Sequence, residues 1–284
     1  MHQANDTLGN AYTVNHDASV TQMADIIDAY LGSQATVMPL LDELLLTDPT
    51  MPMAICLRTY LLKLGSDPRL ATPIQRGLDS LTALEDSLNP REKMHLQALT
   101  SWVANQLLAT VETLEAILAS YPRDMLALRL AHYLHFYAGS AKDMRASVTR
   151  SLNSWSPAAP YYGYLLGMHS FGLEESGDYT QAERYGKQAI DFNPADIWAA
   201  HAVTHVFQMQ ARFAEGIQWI DSLVPHWDKA NGFVYHLHWH KALCHLGMRD
   251  NEGALAIYDT HLADAVADDF YLDTCNAASL LWRL

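Results

Sequence analysis

GYLLGMHSFGLEESGDYTQAERYGKQAIDFNPAD, residues 163–196, is followed without a break by a second stretch with the same spacing of small residues, starting at Ile197. In the first stretch Gly177 marks a turn, and Ala182 and Ala189 stand where two helices approach closely. The second stretch has Ala211, Gly216 and Leu223 at the same offsets. Because the spacing is helical within each half and breaks at the turn, it predicts repeated helix–turn–helix units.

Three further stretches fit this register, so the predicted units start near residues 91, 125, 163, 197 and 235, with a partial unit from about 270. The two adjacent pairs of starts at 91 and 125, and at 163 and 197, are separated by the 34 residues of a tetratricopeptide repeat. Residues 1–90 are predicted as an irregular N-terminal helical region, without a β-strand. The predicted fold is all-α, a right-handed superhelical solenoid of tetratricopeptide-like helix pairs, since one pair cannot bury its own apolar stripe.

Composition limits the function. The 284 residues include 18 Lys and Arg against 32 Asp and Glu, a net charge of −14. Such a surface disfavours nucleic acid and anionic membranes as partners. Three cysteines without paired spacing, and no apolar run as long as a membrane span, predict a cytoplasmic protein with reduced thiols.

Sequence similarity also points to a family. The stretches that carry it are YPRDMLALRLAHYLHFYAG (121–139), SFGLEESGDYTQAE (170–183), NPADIWAAHAVTHVFQMQ (193–210), HLHWHKAL (236–243) and AIYDTHL (256–262). Together they resemble the tetratricopeptide repeat protein 38 family, with weaker similarity before about residue 87. The resemblance implies an all-α repeat protein and brings no established activity with it. Members are usually longer, which leaves open whether this chain is a shortened form.

Histidine pairs are the chief candidates for chemistry. His201 and His205 are four residues apart on one first helix, and His236 and His240 are four apart on the next. Side chains at that spacing lie about 5 to 6 Å apart on one helix face, close enough to share a metal ion. Convergence of the four rings would suit zinc. The plain alternative is a polar patch in a groove, so no cofactor is predicted and zinc is the alternative.

The inner face of each first helix predicts a concave groove lined by aromatic and polar residues. Counted from the unit starts, the second pair is less well placed, because His240 falls one position off this face. Arg129 would supply a cation for a carboxylate, and Glu174 an anion. The predicted lining is Arg129, Tyr133, Phe136, Tyr164, Phe171, Glu174, Trp198, His201, His205, Gln208, His236, Trp239 and His240.

Two function classes remain open. In the first, the protein is a scaffold that holds a peptide, a partner protein or a small metabolite in this groove. In the second, it is a hydrolase or lyase that works with or without a bound metal. His201, His205 or His236 would be the general base, and Glu174 would be its partner. The sequence contains no nucleophile elbow, phosphate-binding loop or Cys–His signature, which favours the scaffold.

The last predicted helix has apolar residues at helical spacing and no second helix to cover them. These residues are Leu272, Cys275, Ala278, Leu281 and Trp282. An exposed apolar face of this kind usually marks a contact surface. This face predicts a homodimer through the C-terminal helix, in which the same patch of the two copies would meet across a two-fold axis.

Overall fold

The structure is a computed structural model that describes residues 1–268 and 270–284. Its chain forms a short hairpin and then one helix after another, which confirms the all-α helical-repeat fold class. The elements are β1 (His2–Asn5), β2 (Ala11–Val14), α1 (Ala18–Leu31), α2 (Val37–Thr47), α3 (Pro52–Leu64), α4 (Ala71–Ala83), α5 (Pro90–Val103), α6 (Leu107–Ser120), α7 (Met125–Tyr137), α8 (Ala141–Leu152), α9 (Tyr162–Glu175), α10 (Tyr179–Phe192), α11 (Ile197–Met209), α12 (Phe213–Leu223), α13 (Phe233–Gly247), α14 (Asn251–Ile257) and α15 (Tyr271–Leu281).

Backbone proximity divides the chain into two compact units. The first unit comprises residues 1–31 and 36–162, and the second comprises residues 32–35 and 163–284. Within the second unit, α9 to α14 form three successive helix pairs, and α15 packs on α13.

Local chemistry sets where several first helices begin. The Asp124 carboxylate accepts a hydrogen bond from the Ala127 backbone at the start of α7, and Asp196 does the same for Ala199 at the start of α11. At the start of α5 the Asn89 side chain and Glu92 form a reciprocal capping box. Each cap satisfies backbone N–H groups that the first turn of a helix leaves without partners.

The turn inside each helix pair has a residue in the left-handed backbone region. Gly139 and Gly177 hold this position with φ of 71° and 79°. In other pairs it is held by Asn105, Ala211 and Arg249, at φ of 58°, 55° and 63°. A left-handed Ala costs on the order of 1 kcal/mol, yet the left-handed position is kept in every one of these turns whichever residue occupies it. The packing of the two helices therefore dictates the conformation of the turn.

Small residues sit where neighbouring helices approach one another, both within a pair and between pairs. Ala182 and Ala189 of α10 and Ala199 of α11 have no exposed surface. A Cβ added at Gly186 would overlap Val203 of α11 and lie 2.7 Å from the Ser170 hydroxyl of α9. The α10 backbone therefore approaches its neighbours too closely for larger side chains at these positions.

The expectation that the N-terminal region contains no β-strand is wrong. β1 and β2 form an antiparallel pair with His2 opposite Val14. Its turn is closed by the Asp6 carboxylate, which accepts hydrogen bonds from the backbone of Leu8 and Asn10, while Gly9 takes a φ of 84°. Four-residue strands carry little periodic signal, and contacts with α5 outweigh their weak propensity.

Among the described residues, none of the helices combines the length and the apolar character that crossing a membrane requires.

Candidate functional site

The structure brings the four histidines of α11 and α13 to one point in the second unit. The Nε2 atom of His240 lies 3.2 Å from that of His201 and 3.1 Å from those of His205 and His236. The Nε2 atoms of His201 and His236 are also 3.1 Å apart. Four ring nitrogens from two neighbouring helices thus surround one small volume.

The outer nitrogens of three of these rings face oxygen atoms. Nδ1 of His205 lies 3.2 Å from Oε2 of Glu174, and Nδ1 of His240 lies 2.8 Å from Oε1 of Gln208. Nδ1 of His236 lies 3.3 Å from Oδ1 of Asn276. Contacts of this kind fix the ring orientation and the tautomer of a metal-binding histidine.

Aromatic rings enclose the cluster. Phe171 stacks on His201 with the ring centres 5.5 Å apart, and Trp239 stacks on His236 at 5.2 Å. Phe233 also contacts His201, with the ring centres 5.3 Å apart. His201 and His240 retain only 4% exposed surface, whereas the side chain of His205 is 21% exposed, so the cluster is buried on the side of His201 and His240.

Burial keeps His236 and His240 neutral. It lowers the pKa of His236 to about 4, with a further contribution from the neighbouring charge of His205. The same two causes, together with the charge of His236, hold the pKa of His240 well below its ordinary value. A neutral imidazole has one nitrogen that can accept a hydrogen bond or a metal ion.

The expectation that His240 falls off the inner face is wrong. His236 and His240 each lie 35 residues after His201 and His205 respectively, which places the matching start of the unit at Gly232 rather than Tyr235. Gly232 is the residue that precedes α13. The Pro- and Trp-containing joint before it absorbs the one residue beyond the 34-residue repeat, and only the structure shows where the register resumes.

The other predicted groove residues divide between the two units. Phe171, Glu174, Trp198, Gln208 and Trp239 lie around the histidine cluster. Tyr164 lies near the start of α9, where its hydroxyl accepts a hydrogen bond from the Asn193 side chain.

In the first unit, Arg129 is 2% exposed and its guanidinium lies 4.5 Å from the ring centre of Tyr133, to whose hydroxyl it donates a hydrogen bond. Phe136 is 41% exposed.

Two residues that contact the histidine cluster are not predicted from the sequence. Asn276 comes from α15, forty residues beyond His236, and no spacing rule connects them. Phe233 is the first residue of α13 and contacts both His201 and His236, with ring centres 5.3 Å apart in each case. Placing the unit start at Gly232 would have found Phe233, because it then matches Trp198 on the preceding helix.

A separate cleft of about 790 Å³ opens in the first unit. Its lining comes from the C-terminal parts of α3, α5 and α7 and from the beginnings of α4 and α6. Trp102 and Leu134 form part of its apolar wall, and Lys63 and Tyr137, which is 53% exposed, also line it. Lys63 donates a hydrogen bond to Asn105 at 2.8 Å.

At the C-terminal helix, Trp282 is 91% exposed and Leu281 46% exposed. The structure thus leaves the apolar side chains named for a homodimer at the surface, and the dimer itself stays a prediction.

Comparison with solved structures supports the fold. A tetratricopeptide repeat protein from Parabacteroides merdae superposes with a TM-score of 0.54 at 15% identity, covering 94% of this chain and 99% of its own. YrrB, described as a tetratricopeptide repeat protein with an unusual peptide-binding site, gives a TM-score of 0.42 at 15% identity, over 70% of this chain and 95% of its own. No known family profile matches the chain. The fold is therefore that of the tetratricopeptide repeat class, and the resemblance to the repeat protein 38 family stays a prediction.

Proposed function

We propose that this protein is a binding scaffold that holds a short peptide segment in the cleft of the first unit. The observation that carries the proposal is the position of the cleft across the ends of α3, α5 and α7. Helical repeat proteins use surfaces that run across successive units to bind extended ligands.

The lining suits a peptide. An apolar side chain of the ligand would pack against Trp102, Leu134 and Tyr137, while the Lys63 ammonium would bind a carbonyl or carboxylate oxygen. Lys63 is the cation of this lining, and the chain as a whole carries a net charge of −14. An acceptor atom placed next to Lys63 should therefore contribute more to binding than the overall acidity of the ligand.

The geometry favours holding a ligand over the hydrolase or lyase alternative. A general base needs a nitrogen within hydrogen-bond reach of the substrate. His205 has Nε2 3.1 Å from His240 and Nδ1 3.2 Å from Glu174, so both of its nitrogens face groups of the protein itself.

Selection from a random peptide phage library on the untagged full chain tests this function. A selected peptide is expected to bind the wild type and to lose at least about tenfold in affinity, or about 1.4 kcal/mol, with Lys63→Glu or Tyr137→Ala. Tyr271→Ala is the matched control, since Tyr271 is 45% exposed in the second unit. No enriched peptide, or equal affinity for all four proteins, would remove the cleft as a peptide site, and displacement only by a small metabolite would change the ligand class.

A further inference from the structure

We propose that His201, His205, His236 and His240 bind one Zn²⁺ ion through their Nε2 atoms and that this ion joins α11 to α13. The inference goes beyond the peptide scaffold, because the site lies in the second unit and shares no residue with the cleft. It rests on three independent features: the spacing of the nitrogens, the direction of their lone pairs and the kind of donor atom.

Four of the six spacings between the ligand nitrogens are close to those of a tetrahedral zinc site. Zinc binds imidazole nitrogen at about 2.0 to 2.1 Å, which separates the corners of a regular tetrahedron by about 3.3 to 3.4 Å. Four of the Nε2–Nε2 separations are 3.1 to 3.2 Å. All four ligand atoms lie within 4.8 Å of one another.

Hydrogen bonds among the rings cannot account for this packing. The Glu174 carboxylate only accepts hydrogen bonds, so Nδ1 of His205 carries a proton. The amide oxygens of Gln208 and Asn276 likewise place the proton of the neutral His240 and His236 rings on Nδ1, so their Nε2 atoms carry lone pairs.

One contact therefore joins acceptor to acceptor. Even when His201 and His205 each donate a proton from Nε2, the pair His236–His240 brings lone pairs together at 3.1 Å. Buried acceptors without donors are costly. A cation at the centre converts this contact into a favourable one, and any proton on Nε2 of His201 or His205 leaves that nitrogen as the metal binds.

The donor set selects the ion. Four neutral nitrogen ligands suit zinc and other late first-row metals, whereas calcium and magnesium require oxygen. Tetrahedral geometry points to zinc within that group. Four protein ligands inside the aromatic enclosure of Phe171, Phe233 and Trp239 fill the coordination shell, as in a structural site.

Cobalt substitution provides the test. Full-length protein without a histidine tag is stripped with a chelator and titrated with Co²⁺, whose visible absorption is intense in tetrahedral and weak in octahedral coordination. We expect intense absorption that saturates at one equivalent and disappears when Zn²⁺ is added. His240→Leu and His205→Gln should lose it, while His226→Gln, an exposed histidine of the same unit, should retain it.

Thermal melts of the same proteins separate metal binding from a structural role of the rings. Excess Zn²⁺ should raise the melting temperature of the wild type and of His226→Gln, and leave His240→Leu unchanged. Metal-free His240→Leu should be at least as stable as the metal-free wild type, because it removes the contact between the acceptors of His236 and His240. Weak absorption that the variants share with the wild type, or no stabilisation by Zn²⁺, would overturn the proposal.

Discussion

Buried polar clusters occur in both units, and they differ in one decisive respect. In the first unit, Asp124 accepts hydrogen bonds from Arg91 at 2.8 Å, from His95 at 2.9 Å and from the backbone of Ala127 at 2.9 Å. Every contact there joins a donor to an acceptor. In the histidine cluster of the second unit, one acceptor faces another.

The difference separates architecture from a ligand site. The Asp124 network holds the N-terminal hairpin on α5, because Arg91 also donates to the Ala11 carbonyl and Glu92 accepts from the backbone and hydroxyl of Thr13. Apart from the Arg91 Nε atom, the donors and acceptors of this network are matched within the protein. A cluster of unmatched acceptors is complete only with a cation. Matching of donors to acceptors, rather than burial or charge alone, therefore distinguishes the two.

The largest effect is expected at Asp124. Replacing it with Leu leaves Arg91, which is 2% exposed, as a buried charge without its anion. Breaking a buried pair in this way costs about 3 to 5 kcal/mol. Urea denaturation measures the loss. Asp79→Leu, an exposed position of the same unit, should cost less than about 0.5 kcal/mol, and equal losses for the two would mean that the network does not stabilise this unit.

The pH dependence of the metal-free protein should sharpen the comparison. Burial lowers the pKa of His236 from 6.5 to about 4, so below pH 6.5 the unfolded chain takes up a proton that the folded protein excludes. Stability should therefore fall as the pH drops from about 6.5 to 4, by on the order of 2 to 3 kcal/mol from this group.

His236→Gln removes this contribution together with the effect that the charge of His236 has on the pKa of His240. His132 and His238, whose pKa values burial also lowers, remain in the variant and contribute in both proteins. Asp124 acts in a different window: burial tends to raise its pKa, but His95 and Arg91 outweigh that effect and hold the pKa low, so its contribution is lost only below about pH 4. Parallel stability curves for wild type and His236→Gln would contradict the assignment.

A smaller effect is expected at Thr13. Thr13→Val keeps the shape of the side chain but removes the hydroxyl that donates to Glu92 at 2.6 Å. Loss of one hydrogen bond to a charged acceptor should cost about 1.5 to 3 kcal/mol, and the backbone donor of Thr13 remains. Thr149→Val on the exposed surface of α8 is the control. If Thr13→Val proves neutral in urea denaturation, the hairpin does not depend on matched polar contacts.

Most of the helical architecture is predictable from the sequence, and the residues that make it so can be named. Asp124 and Asp196 cap helices at equivalent places in their units, and Ala182 and Ala189 mark close approach, so local chemistry and periodicity agree. The four-residue spacing within each histidine pair also placed both rings of a pair on one helix face.

What escaped prediction depends on tertiary contacts. The hairpin is short and is held by α5, which follows it by more than seventy residues. The register of α13 resumes after an irregular joint, which hid the place of His240. Asn276 reaches the cluster from α15. The tautomers of the histidines, which support the cation site, are set by partners on other helices and cannot be predicted from spacing within one helix.

Anomalous diffraction at the zinc absorption edge, from crystals of untagged protein grown with one equivalent of Zn²⁺, tests the central claim most directly. We predict one strong peak per chain at the centre of His201, His205, His236 and His240, about 2.0 to 2.1 Å from each Nε2 atom. A fully occupied peak elsewhere, or four ordered rings without a peak between them, would contradict the account.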